Sequence, residues 1–270
     1  MRLHEYSLGD AVRAFSTTRE GGAGTGNYAS FNINRHCGDS EESIARNLET
    51  LAGTINIAPG RIIYPRQAHG AEYRCVTEEC LSLPASGLQS FIDGSDALIT
   101  GVRGICIGVS TADCIPIIIY DHEHHCAAAV HAGWRGTAKR IAQAVVAAMH
   151  DKFSSRPEAL RAAIGPGISL AAFEVGDEVY DEFRDAGFHM ERISRRFPPM
   201  HTRTAALSRT EMKWHIDLPL CNRLQLIEGG IPSASIHSSG ICTYTHSGTF
   251  FSARRLGTAS GRIFTGVILK

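Results

Sequence analysis

Apolar residues fall into short runs along this chain. Four follow one another in its middle, at 97–100, 105–110, 115–120 and 126–131, separated by brief polar joints. Runs of this length without polar alternation predict strands buried on both faces. Further strands are predicted at 12–17, 61–64, 73–77, 161–164, 234–237 and 263–269. A glycine-rich loop follows the first of these, at 19–26, without the Lys-Ser/Thr ending of a P-loop. Elsewhere helical spacing takes over. Ile44, Leu48 and Leu51 mark a helix running from a cap at Asp39 to about Ala52. Ile141, Val145 and Ala148 mark one face of a helix over 136–153. Helices are also predicted at 174–186 and 219–228, the second with Pro219 in its first turn. Strands and helices mix without a regular βαβ rhythm. The predicted fold is α/β (α+β-like), a layered sandwich of mixed β-sheets flanked by helices. With no repeat, low-complexity tract or linker, residues 1–270 read as one domain.

Composition narrows the partners. Lys plus Arg and Asp plus Glu both number 27. A neutral chain has no broad attraction for nucleic acid or anionic lipid, so an anion must be captured by a local cluster. The first residues lack the basic start and apolar run of a signal peptide, and the longest apolar stretch, 115–120, is too short to span a bilayer. A cytoplasmic location without a membrane partner is expected. Eight cysteines spread over 270 residues with no CxxC pair read as thiols, not as a disulfide framework or a ribbon-type zinc site. No coiled-coil pattern fixes the oligomeric state, which is read as monomer or small homo-oligomer.

Four segments join reactive residues to structural punctuation: Arg66-Gln-Ala-His69-Gly70, Thr111-Ala-Asp113-Cys114-Ile-Pro116, His131-Ala-Gly-Trp134-Arg135-Gly136, and Cys242-Thr-Tyr with Phe250-Phe-Ser-Ala-Arg254-Arg255. Cys114 sits in the joint between two predicted strands, and His131 ends the next strand before a glycine. If those strands are neighbours the two side chains face each other. With His69, in a comparable loop, they offer zinc two imidazoles and a thiolate and leave a fourth position open. Spacing alone does not make this a compact metal motif, and any one of 8 Cys and 13 His is more often structural. Cys80, Cys106 and Cys126 read as small core residues. His122, His124 and His125 read as a solvated turn, and Trp134 as a packing residue or pocket wall.

The ordered motifs resemble the laccase-domain or YfiH-like family, also named multicopper polyphenol oxidase, peptidoglycan editing factor and purine nucleoside phosphorylase family. The resemblance runs nearly end to end. It is carried by Phe15-Ser-Thr-Thr-Arg19-Glu-Gly-Gly22, Tyr28-Ala-Ser-Phe-Asn32, Gln67-Ala-His69-Gly70, Asp96-Ala-Leu, the Cys114 and His131 segments, Ile164-Gly-Pro-Gly-Ile168 and Phe250-Phe-Ser-Ala-Arg-Arg255. It implies a layered α/β sandwich, zinc on His69, Cys114 and His131, and phosphorolysis of adenosine, inosine and methylthioadenosine together with adenosine deamination. Ala68, Gly167, Ala253 and Leu48 stand where many members carry Val, Cys, Tyr and Arg, which bears on the shape of the pocket.

For such chemistry, Arg19 and Arg135 are the expected grips for phosphate or substrate charge, since guanidinium binds such oxygens in a fork. Asn32 and Gln67 are expected to hold ribose hydroxyls or base edges. Asp113 is a candidate general acid or base, or else an exposed turn residue or a partner of a histidine ligand. Three other readings compete. Cys114 with His131 could act as a metal-free nucleophile pair in a cysteine hydrolase, with cell-wall precursor editing as its proposed setting. A copper polyphenol oxidase would need many paired histidines, and the chain has one HxH, at His122 and His124; copper on the triad would be adventitious. The last is a zinc-dependent binding module without catalysis.

Overall fold

The computed structural model describes residues 1–199 and 212–270. In chain order its strands are β1 (Leu3–Tyr6), β2 (Val12–Thr17), β3 (Ile62–Ile63), β4 (Tyr73–Val76), β5 (Ala97–Thr100), β6 (Cys106–Thr111), β7 (Ile115–Asp121) and β8 (Cys126–Ala132). They continue as β9 (Leu160–Ile164), β10 (Glu174–Val175), β11 (Ser194–Phe197), β12 (Lys213–Ile216), β13 (Ile236–Ser238) and β14 (Ile263–Leu269). One sheet has the order β1-β2-β14-β6-β3, a second β13-β9-β7-β8-β5-β4, and a small third β10-β12-β11.

The two large sheets lie face to face. Ala14, Ile107, Val109 and Val267 of the first meet Leu98, Ile118, Ala127 and Ala129 of the second in one apolar cluster. The outer face of the first is covered by the Glu41–Ile55 helix, whose Leu51 and Ile55 pack with Phe15 and Phe264. The outer face of the second, with Ile117, Ile119, Ala128 and Val130, is covered by helices Ile141–Phe153 and Leu218–Glu228. The order is thus helix, sheet, sheet, helices. Each sheet has apolar layers on both sides, which is why β5, β6, β7 and β8 carry no polar alternation. The predicted sandwich of mixed sheets is the fold observed.

Several boundaries shift. The first helix is capped by Ser40, whose hydroxyl accepts from the Ser43 N–H, instead of by Asp39, and it runs on to Ile55. The helix expected over 136–153 is two, Trp134–Ala138 and Ile141–Phe153, broken where Arg140 takes φ 61°. Glu174 and Val175 leave the helix expected there and pair with β12. Cys106 and Cys126 are core residues, whereas Cys80 is half-buried. No described helix is long and apolar enough to cross a membrane.

This topology positions the reactive segments. β6 and β7 are consecutive in the chain but belong to different sheets, so residues 112–114 cross from one layer to the other. β7 pairs antiparallel with β8, setting Pro116 opposite His131, and β8 pairs with β5, setting Ala97 opposite Val130. Cys114, Asp96 and His131 therefore gather at one end of the second sheet.

Candidate metal centre and its cavity

The hub of the site is Asp96, a fully buried carboxylate just before β5. One oxygen accepts from His131 Nδ1 at 2.7 Å and from the His69 N–H at 2.9 Å; the other accepts from the Gly70 N–H at 2.7 Å. The His131 N–H in turn donates to the Asp96 carbonyl at 2.7 Å. Burial alone would raise the Asp96 pKa, but these donors outweigh it and hold the carboxyl below its ordinary value. Two adjacent N–H groups on one carboxylate bend the loop into the left-handed region, and His69 takes φ 59°. The helix that follows His131 closes against this loop. A methyl group at Gly136 would meet the Gly70 carbonyl at 2.6 Å, so only glycine lets the two motifs approach this closely.

With Nδ1 committed to Asp96, His131 presents Nε2 to the Cys114 thiol. The His69 ring stands edge-on to the His131 ring, centroids 4.8 Å apart. One ligand atom from each of His69, Cys114 and His131 lies within 4.8 Å of the others, the one such cluster among the described residues. A buried thiol should titrate high, yet the positive His131 and the His69 ring bring Cys114 down to about 6. Burial would lower His131, and the thiolate and Asp96 raise it to about 9. Two imidazoles and a thiolate, one imidazole held in its tautomer by a carboxylate, are the donor chemistry and outer support of a three-ligand metal site. The residues present can hold a metal ion.

All three side chains line a cavity of about 340 Å3. Of the side chains expected to grip substrate, only Gln67 lines it, and its amide is tied to the Ser110 backbone: Oε1 accepts from the Ser110 N–H at 2.7 Å, and Nε2 donates to the Ser110 carbonyl at 2.9 Å. Asn32 is fully buried and ties Asp39 to the Arg262 N–H. Arg19 donates to the carbonyls of Ala29 and Ser247, both at 2.7 Å, and stacks over Phe251. Arg135 is exposed and lies 4.2 Å over Trp134. Asp113, at φ 89°, gives one carboxylate oxygen to the Thr243 hydroxyl and the other to the Arg254 N–H, both at 2.6 Å. It is buried, clamps the Cys242 and Arg254 segments behind Cys114 and does not line the cavity, so it is not the exposed turn residue that is one expectation for it.

Composition and spacing missed much of the wall. Arg66, His36, Cys37 and Arg262 line the cavity, with the hydroxyl residues Ser110 and Thr111. Ser110 Oγ and Thr111 Oγ1 are buried and hydrogen-bond to nothing among the described residues. Asp96 had a usable signal: a lone acid opening an apolar strand, where burial demands a partner.

Residues 13–270 match the family model described as multi-copper polyphenol oxidoreductase laccase, and the chain belongs to that family. A protein of Bacteroides thetaiotaomicron named purine nucleoside phosphorylase is 43% identical over 96% of this chain and 92% of its own. One from an unknown prokaryotic organism, named adenosine deaminase RL5, is 38% identical over 97% of this chain and 95% of its own. The crystal structure of YlmD from Geobacillus stearothermophilus superposes with a TM-score of 0.84 at 29% identity, covering 98% of this chain and 94% of that one.

Proposed function

We propose that this chain is a purine nucleoside enzyme. In this reading it converts adenosine, inosine or methylthioadenosine and phosphate to the free base and the corresponding sugar 1-phosphate, ribose 1-phosphate or its 5-methylthio analogue, and also hydrolyses adenosine to inosine and ammonia. The carrying observation is that His69, Cys114 and His131 converge on the wall of a cavity of about 340 Å3, within the range of small-molecule sites. The names of relatives covering nearly the whole chain supply the substrate class.

Zinc is the metal proposed for His69, Cys114 and His131, and when bound it supplies Lewis acidity. The protein's own part is organisation. Asp96 fixes the His131 ring and the His69 backbone through one carboxylate, so two ligands are preorganised together. Gln67 locks the backbone at Ser110, holding the end of β6 against the same cavity. Asp113 ties the segments after β13 to the Cys114 joint and keeps the back of the site closed.

The test is zinc-loaded protein incubated with adenosine and phosphate, with adenine, inosine and ribose 1-phosphate quantified. Formation of neither adenine nor inosine would sink the reading. Metal analysis of protein produced without added copper decides between zinc and the copper of the family's description, since a thiolate–imidazole set also takes copper when it is supplied.

One observation favours a second reading. With its Nδ1 held by Asp96, His131 turns Nε2 to the Cys114 thiol, the nucleophile–base geometry that a metal-free cysteine hydrolase would use. Full activity after chelation, or a substrate analogue covalently attached to Cys114, would select it over the metal reading.

A further inference from the structure

The expected phosphate grips, Arg19 and Arg135, do not line the metal cavity, which leaves its anion partner unassigned. Two other arginines do line it. The Arg262 guanidinium is consumed by its own loop, donating to the carbonyls of Ser260 at 2.6 Å, Thr258 at 2.9 Å and Gly261 at 3.1 Å. Arg66 is its opposite. Its main chain is pinned on both sides: its N–H donates to Asp93 Oδ1 at 2.8 Å and its carbonyl accepts from the Gly94 N–H at 2.9 Å. Its guanidinium has neither a hydrogen bond nor an ion pair among the described residues, although it is exposed on the wall of the cavity, three residues before the ligand His69. An arginine with a fixed backbone and an unused fork is built to receive a planar or tetrahedral oxyanion.

A second observation points to the same cavity. Ser110 Oγ and Thr111 Oγ1 are buried there without partners. Native proteins rarely leave buried hydroxyls unsatisfied, and a ligand is one way to satisfy them. A guanidinium and hydroxyl donors together suit an acceptor-only group with several oxygens, which is the chemistry of phosphate.

Resting on the nucleoside reading above, we infer that Arg66 binds the phosphate co-substrate. The expectation is separable from a general role in substrate binding. In zinc-loaded protein, Arg66→Ala should raise KM for inorganic phosphate by about 10- to 100-fold, the loss of one charge-assisted contact. KM for adenosine should move by less than about twofold. Arg66→Lys, which keeps the charge and loses the fork, should recover part of the loss.

An unchanged KM for phosphate in Arg66→Ala, with wild-type phosphorolysis intact, overturns this assignment and leaves the nucleoside reading standing. Equal rises for phosphate and adenosine overturn it as well. A parallel series with AMP distinguishes the source of the phosphate. If KM for AMP rises while KM for inorganic phosphate does not, Arg66 reads a nucleotide's own phosphate and the co-substrate assignment fails. Formation of neither adenine nor inosine by the wild type removes both proposals together.

Discussion

Replacing Asp96 by Asn changes one atom and removes the charge on which three donors converge. The amide oxygen can stand in for only one carboxylate oxygen. Kept toward His131 and the His69 N–H, it turns the new NH2 toward the Gly70 N–H, which donates at 2.7 Å in the wild type. Flipped, it strands His131 Nδ1 and the His69 N–H. The first arrangement is the cheaper, and one unsatisfied N–H costs about 1–3 kcal/mol. The two surviving bonds lose their charge assistance, which roughly halves each and adds about 1.5–3 kcal/mol, for a total of about 3–6 kcal/mol. For a chain of this size that lowers Tm by about 5–20 °C. The effect on metal is separate. Loss of a carboxylate behind a histidine ligand typically costs about 10- to 100-fold in metal affinity. Competition with a chromophoric chelator measures the affinity, and thermal unfolding of the metal-free forms measures the stability. A variant that binds zinc as tightly as the wild type, whatever its Tm, refutes the view that Asp96 preorganises the ligands.

Gly136→Ala should lose about 1–3 kcal/mol in chemical denaturation, because the added methyl runs into the rigid Gly70 carbonyl; wild-type stability would show that the two segments part freely. In metal-free protein at neutral pH, iodoacetamide should alkylate Cys114, brought down to about 6, ahead of Cys126, raised to about 11, and of the still higher Cys106 and Cys221. Zinc should suppress that labelling, as peptide mass spectrometry would report, and labelling insensitive to zinc would count against Cys114 as a ligand. Asp121 is buried, which alone would raise its pKa, but the Ser155 hydroxyl, His124 and the N–H groups of Glu123 and His124 bring it below the ordinary value. A depressed carboxylate stabilises the fold above its unfolded pKa and loses that contribution as pH falls through the folded one. The stability gap between wild type and Asp121→Asn should therefore be widest above about pH 4 and narrow in more acid solution, read from urea unfolding across pH; a gap independent of pH would contradict it.

The four central strands were legible because the layers on both sides demand unbroken apolar runs, and a run such as 115–120 has one reading once glycine and polar joints bound it. Strands outside that double burial were not. β11, with its exposed Arg195 and Arg196, carries no such signal, and β1 at a sheet edge carries little. The helix break at Arg140 was hidden for another reason. Ile141, Val145 and Ala148 keep helical spacing, and nothing in the residue type announces a positive φ at an arginine.

At the site, legibility divides by what each side chain is asked to do. His69, Cys114 and His131 could be proposed from residue type, because few side chains bind a metal and strand ends present them. The oxygen and nitrogen grips could not, because arginine, asparagine and aspartate serve backbone carbonyls and N–H groups as readily as ligands. Arg19, Asn32 and Asp113 all satisfy main-chain groups of loops around the cavity. A loop-rich rim has many such groups to satisfy, and long polar side chains are what satisfies them. What separates a structural arginine from a ligand-binding one is therefore whether its donors are already used. That property belongs to the folded partners and not to the residue: Arg262 and Arg66 line the same cavity, and only the first has its guanidinium occupied by its own loop.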